Sequence, residues 1–287
     1  MNGSVASQIE QRLGLGCARL GSVLGRDQAE ARNLIQAAFD RGIRLFDTAN
    51  IYGQGESELI LGAALRGQRK QANIVTKAGQ YFPAWMRAVK PLKRIITPLI
   101  RKNGAGRYMV SRVREARLPQ DFSDRALSAS IESSLRRLKT DYVDFFLLHS
   151  PPSDVITDGE ALGFLEKLRE AGKVVKIGIS CEDIDQGLLA LEDARVDAIE
   201  VPLWPSTAEI ERFLYRARCQ RVFVIGRGLM SAAPSAANSD RWSAVRAALI
   251  SSLRRDEINR LLIGTTRLAH LHQVLDAARG TESVSCS

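Results

Sequence analysis

Residues 141–150 read DYVDFFLLHS, a short β-branched and aromatic run that ends in an ionisable side chain, His149. Such a run reads as a buried strand. A helical pattern precedes it at residues 124–138, another follows at 158–171, and the next strand, KVVKIGIS, ends at Ser180. The alternation continues outward in both directions. Strands are expected at RLGLGC (12–17), GIRLFDTA (42–49), ANIVTKAG (72–79), VDAIEVPL (196–203), RVFVIGR (221–227) and INRLLIGTT (258–266). Helices are expected at 27–41, 56–66, 183–193, 207–218, 240–254 and 268–279. Several open on Asp, Ser or Thr, whose side chains accept hydrogen bonds from first-turn amides. Arg41-Gly42 and Ala171-Gly172 read as helix stops. Eight strand–helix pairs with right-handed crossovers imply a parallel eight-stranded sheet, and eight strands close into a (β/α)8 TIM barrel of the α/β class.

An open doubly wound sheet is the alternative, prompted by Gly14-Leu15-Gly16-Cys17-Ala18-Arg19. That run begins like a dinucleotide fingerprint but puts Arg19 where the third glycine is needed for close helix packing. A tight turn at a strand end is the better reading.

The 287 residues, 45% hydrophobic and 25% charged, suit one barrel domain over 1–287. No apolar stretch reaches the roughly 20 residues of a membrane span, and the first residues lack a basic start with an apolar run. A soluble cytoplasmic protein without stable membrane insertion is therefore expected. Cys17, Cys181, Cys219 and Cys286 form no C-x-x-C pair, and His149, His270 and His272 offer no clustered ligand set, so no metal is expected.

The net charge of +9 is local. Residues 81–120 hold ten Lys/Arg against one acid, Glu115, which accounts for the whole excess. They fall in an insertion at about 80–122, between the third strand and the third helix. Trp85, Met86, Val89, Leu92, Ile96, Leu99 and Ile100 recur there at helical spacing, with Arg87, Lys90, Lys93, Arg94 and Arg101 between them. Pro91 and Pro98 break that pattern into pieces. A lid that attracts an anionic substrate is the functional expectation; a stripe packed on the barrel is the alternative. No zinc-finger, RNP or helix-turn-helix pattern accompanies the basic residues, so nucleic acid is not expected.

Four polar residues stand at or just beyond the ends of successive strands. Asp47 ends LFD, Tyr52 follows five residues later, Lys77 ends IVTK and His149 ends FFLLH. In a parallel barrel these ends open on one face, where active sites are built. An ionisable group delivered there by an apolar strand meets a partly dry cavity that can move its pKa. Each residue alone has an ordinary structural explanation. All four in order on neighbouring strands do not.

On these residues the sequence resembles the aldo-keto reductase family, from about Gly14 to Ala278. The marks are DTANIYGQGESELILGAAL (47–65), matching D-T-A-x-x-Y-G-x-x-E, then IVTK (74–77) and DYVDFFLLH (141–149). GKVVKIGIS (172–180) and IGTTRLAHLHQVL (263–275) support them. The resemblance implies reduction of an aldehyde or ketone to an alcohol, or the reverse, with NADPH as cofactor and NADH as the alternative. Tyr52 would be the general acid, Lys77 would stabilise its tyrosinate, Asp47 would hold Lys77, and His149 would position the carbonyl oxygen. The implied cofactor residues are Gly16, Cys17, Asp47, Ser180, Cys181, Glu200, Arg227, Gly264, Thr265, Thr266, Arg267 and Gln273.

Departures stand at Cys181, where the family usually has Asn, and at Glu200, where Gln is common. Others are Leu203-Trp204, where the stacking aromatic is displaced, and Gln273-Val274, where Glu-Asn is usual. They imply altered nicotinamide binding. A catalytically weak cofactor-binding or regulatory protein on the same fold is the second functional expectation.

Overall fold

The computed structural model describes residues 10–21, 27–83, 118–204, 206–229 and 238–279. Eight parallel strands form a closed barrel in sequence order: β1 (Leu13–Gly16), β2 (Leu45–Asp47), β3 (Asn73–Ala78), β4 (Val143–His149), β5 (Val174–Ser180), β6 (Ala198–Pro202), β7 (Phe223–Arg227) and β8 (Arg260–Ile263). β8 pairs with β1 through Leu13↔Leu261 and Leu15↔Ile263. The barrel is the architecture expected from the alternating pattern, and the open sheet is excluded.

A helix follows each strand: α1 (Gln28–Asp40), α2 (Glu56–Ala64), α3 (Asp124–Leu138), α4 (Glu160–Glu170), α5 (Ile184–Ala190), α6 (Ala208–Cys219), α7 (Asn238–Leu253) and α8 (Leu268–Arg279). Asp27, Ser123, Asp183 and Thr207 cap α1, α3, α5 and α6 through side-chain oxygens that accept first-turn amides. The helix expected over 158–171 is α4, and a short helix that the pattern did not announce, Ser153–Asp158, precedes it. They meet at Gly159, which is left-handed (φ 68°), and Asp158 Oδ1 accepts the Glu160 amide beyond the break.

Strand alternation divides the core in two. Outward residues such as Phe46, Ile74, Phe146, Ile177, Ile199 and Val224 join the helices in the larger apolar cluster. Inward residues Leu45, Val75, Phe145, Leu147, Ala198, Ile225 and Leu262 fill the barrel itself. The interior is a packed plug, so chemistry is confined to its ends. Of the basic insertion, the two feet are described: Gln80 bridges Gln120, and the Tyr81 amide donates to Pro119 O at 3.0 Å. The helical stripe expected at 85–101 lies outside the described residues.

Candidate active site

Above the apolar plug, the same alternation turns Asp47, Lys77, His149, Ser180, Glu200 and Arg227 toward the C-terminal mouth. Register aligns them as a ring: His149 lies opposite Ser180, Ser180 opposite Glu200, and Pro202 opposite Arg227. Past the strand ends the ladder continues, with the Thr48 amide donating to Val75 O (2.8 Å) and the Asn50 amide to Lys77 O (3.3 Å). This fixes the approach to Tyr52. The chain then turns through Gly53, Gln54 and Gly55, all left-handed (φ 60°, 59° and 84°). A Cβ at Gly53 would stand 2.9 Å from Gly21 O, and one at Gly55 would stand 2.8 Å from Arg137 Cδ. Glycine is needed at both positions for conformation and for space.

The four expected catalytic residues converge. The Lys77 ammonium is fully buried, hydrogen-bonds Asp47 directly and donates to Thr48 O at 3.2 Å. Tyr52 is half-buried, with its ring 5.3 Å from Lys77 Nζ. The His149 ring meets Tyr52 edge-on, centroids 5.8 Å apart and planes at 85°. His149 is held from behind, because Gln80 Nε2 donates to its carbonyl at 3.3 Å and the left-handed Ser150 donates its amide to Ser180 O at 2.8 Å. Its Nδ1 is buried and has no hydrogen-bond partner among the described residues.

One feature exceeds the expectation. Glu200 Oε2 lies 3.1 Å from Lys77 Nζ, so the ammonium has two carboxylate neighbours. Glu200 Oε1 is 3.7 Å from Arg227 Nε, and Arg227 also donates to Cys181 O (2.5 Å) and Glu182 O (3.3 Å). The sequence reading put Glu200 and Arg227 among cofactor contacts. Inward positions on the adjacent strands β6 and β7 bring the two side chains together.

These contacts set the charge states. Burial, reinforced by the Glu200 charge and partly offset by Lys77, pushes Asp47 up to about 8. Lys77 is raised above its ordinary value despite burial, because Asp47, Glu200 and Tyr52 surround it. Tyr52 is pushed up to about 12, first by burial, with Lys77 and Arg227 opposing and Asp47 and Glu200 adding to it. Burial outweighs the ammonium there, the reverse of what a lone lysine partner would do. His149 is held well below the usual imidazole range by burial and then by Lys77 and Arg227, so the ring is neutral. The site thus offers a protonated phenol and a neutral imidazole over a buried ammonium, which is a proton-donating arrangement.

Two predicted cofactor residues lie elsewhere in the packing: Cys17 and Cys181 are fully buried in the larger apolar cluster. Cys17 donates its amide to Asp47 O (2.7 Å) and Cys181 its amide to Glu200 O (2.8 Å), so each supports its inward neighbour through the backbone. At the β8–α8 junction, Thr265 is buried and its Oγ1 accepts the Arg267 amide (3.1 Å), while Arg267 and Gln273 are exposed. An extended dinucleotide needs bare backbone and unpartnered polar atoms along this rim. Gly228 and Gly264 have open space where a Cβ would stand, and Gly16 would meet backbone alone, at 3.6 Å and beyond. With His149 Nδ1 unpaired, these residues fit such a group. A separate cleft of about 490 Å³ lies between the turn at Asn50–Gln54 and α3, lined among others by Gln80, Phe82, Ser130 and Arg137. It flanks the ionisable cluster; none of Asp47, Tyr52, Lys77, His149 or Glu200 lines it.

The fold is a parallel (β/α)8 barrel that carries a ring of ionisable residues at the C-terminal ends of its strands. The family model described as Aldo/keto reductase family matches residues 12–213, and the chain belongs to that family. Among curated relatives, it is similar to the D-threo-aldose 1-dehydrogenase of a Pseudomonas species, 35% identical over 66% of this chain and 55% of that protein. The chain spans about half the length of the curated relatives it matches. Solved structures extend the likeness of fold. An aldo-keto reductase from Bacillus halodurans gives a TM-score of 0.71 at 23% identity, over 93% of this chain and 86% of that one. One from Klebsiella pneumoniae, in complex with NADPH, gives 0.65 at 20%, over 93% and 85%.

Proposed function

We propose that this chain reduces an aldehyde or ketone to an alcohol with NADPH, reversibly, and that Tyr52 is the general acid. The observation that carries the reading is the fully buried Lys77 ammonium, bonded to Asp47 and 5.3 Å from the Tyr52 ring, with His149 edge-on to that ring. When bound, the reduced nicotinamide supplies the hydride. Tyr52 gives its phenolic proton to the carbonyl oxygen, and Lys77 then offsets the charge left on the tyrosine oxygen. Asp47 orients Lys77 through their direct hydrogen bond, and Asp47 and Glu200 together supply the negative charge without which a buried ammonium is costly. His149, neutral, donates a hydrogen bond to the same carbonyl oxygen and stabilises its developing charge.

Gly16, Gly264, Thr265, Thr266 and Gln273 would hold the adenosine end, with Arg267 on a 2′-phosphate, which favours NADPH over NADH. Ser180, Glu200 and Arg227 would line the nicotinamide end, with Cys181 supporting Glu200 from behind through its amide. The NADPH complex of the Klebsiella relative supports this cofactor, and the name of the Pseudomonas relative supports an aldose among the substrates. The test is NADPH oxidation over a panel of aldoses and simpler aldehydes, with parent and Tyr52→Phe. The variant should lose about 100- to 10,000-fold in kcat and keep its affinity for NADPH, read by fluorescence quenching. A Tyr52→Phe enzyme with most of its kcat overturns the assignment. Parent that binds NADPH yet turns over no carbonyl points to the regulatory alternative.

A further inference from the structure

We propose that Glu200 is a positioning residue for the proton of Tyr52, acting as a second counter-ion to Lys77 and giving the inner ring one carboxylate more than its buried cation needs. The inference rests on Tyr52 as proton donor. It adds a charge that decides the pH range in which Tyr52 donates.

The buried ammonium is already matched, because Asp47 hydrogen-bonds it directly and Thr48 O accepts a further hydrogen bond from it. Glu200 comes on top, 3.1 Å from the same nitrogen, with its side chain 3% exposed. Among the described residues, Arg227 is the other cation within reach; it is 34% exposed and 3.7 Å away, and its guanidinium donates to the carbonyls of Cys181 and Glu182. Its charge is therefore partly spent on water and backbone, whereas that of Glu200 is sealed in the barrel mouth.

Around Glu200 stand Asp47 of β2, Lys77 of β3 and Arg227 of β7, with the uncharged Ser180 of β5 beside it in register. Tyr52 faces Lys77, Asp47, Glu200 and Arg227, with the neutral His149 ring at its edge. Lys77 and Arg227 ease ionisation of the phenol, and the two carboxylates oppose it. In the alkaline range where Tyr52 ionises, Asp47 is ionised as well and is set against Lys77, which leaves Glu200 as the unmatched contributor. It holds the phenol protonated further into alkaline solution, which widens the pH window for proton donation to a carbonyl. It narrows the window for alcohol oxidation, which needs the tyrosinate to accept a proton.

The experiment compares Glu200→Gln, which removes the charge at nearly constant shape, with Glu200→Asp, which keeps it. Tyrosinate absorbance near 295 nm is followed from pH 9 upward, and each variant is subtracted from its own Tyr52→Phe double. The other tyrosines cancel, and neither substrate nor cofactor is required. Loss of one nearby buried charge should lower the Tyr52 midpoint by about one unit or more, roughly tenfold more tyrosinate at a given pH. Glu200→Asp should stay near the parent. In turnover, the alkaline limb of kcat/KM for reduction should move down in Glu200→Gln by the same amount. If Glu200→Gln fails to fold, Glu200→Met removes the charge at similar volume and is read the same way.

A Gln midpoint within about 0.3 unit of the parent, or Gln and Asp variants shifted alike, overturns the proposal. An active Tyr52→Phe enzyme overturns the donor assignment instead. The spectroscopic titration separates the two failures, because it measures charge coupling without turnover.

Discussion

Lys77 shows what a single residue does to the rest of the site. Its position was legible because IVTK is an apolar strand ending in one cation, and the same logic found Asp47 and His149. Tyr52 was legible through its place in the motif D-T-A-x-x-Y-G-x-x-E, whereas the left-handed turn that its glycines make was not. The second counter-ion was not legible as such, because a Glu in VDAIEVPL meets Lys77 only once barrel closure brings the inward side chains of β6 and β3 together across the mouth. That excess carboxylate has a measurable effect on stability. Asp47 is pushed from 3.8 to about 8, by burial first and then by Glu200, so the folded chain holds a proton that the unfolded chain releases. Stability of this origin is fully present below about pH 4 and is lost as pH rises through about 8. Removing the Glu200 charge removes part of the cause. Between pH 5 and pH 8 the melting temperature of the parent should therefore fall further than that of Glu200→Gln, by on the order of 3 °C or more. Parallel melting curves for the two proteins across that range would contradict the shared-proton picture.

Among the elements, α2 matters most, because it continues the turn that carries Tyr52. It packs on α3 closely enough that a Cβ at Gly62 would stand 2.4 Å from Leu138 O. Glu58, fully buried on α2, accepts from Thr76 Oγ1 of β3 at 2.7 Å and from Arg137 Nε of α3 at 2.6 Å. This clasp ties the helix to the strand bearing Lys77. Periodicity and caps predicted all three elements, but nothing in a helical pattern separates a buried, paired glutamate from a solvated one. Breaking the clasp from the Arg137 side leaves a buried carboxylate without its cation, which typically costs about 3–5 kcal/mol. Arg137→Met should lose about that much in urea unfolding, and Glu58→Gln combined with Arg137→Met should recover a good part of it. Equal destabilisation in the single and double variants would mean that packing of the arginine stem, not its charge, is what α2 depends on.

At the scale of the whole molecule, the fold was read from the count of eight alternations, and closure is where that count acts physically. The family match ends at residue 213, inside α6, yet β7 and β8 complete the ring between β6 and β1. Side chains reinforce the join: Arg12 donates to Leu253 O (2.5 Å) and Ile258 O (2.9 Å), and Arg279 pairs with the buried Glu10 at 2.6 Å. The inner plug draws Ile225 and Leu262 from these last strands, and Arg227, whose guanidinium holds the Cys181 and Glu182 carbonyls beside Glu200, comes from β7. A chain ending at residue 219 would keep Asp47, Tyr52, Lys77, His149 and Glu200. It would leave two parallel edge strands unpaired, and parallel strands are stable when buried on both faces. Such a chain should show no cooperative urea transition, lose its near-ultraviolet circular dichroism and bind ANS, while some far-ultraviolet helical signal persists. A soluble monomer of that length with a sharp transition would show that the matched region is a folding unit by itself. The last two strands would then be needed for the site, not for the fold.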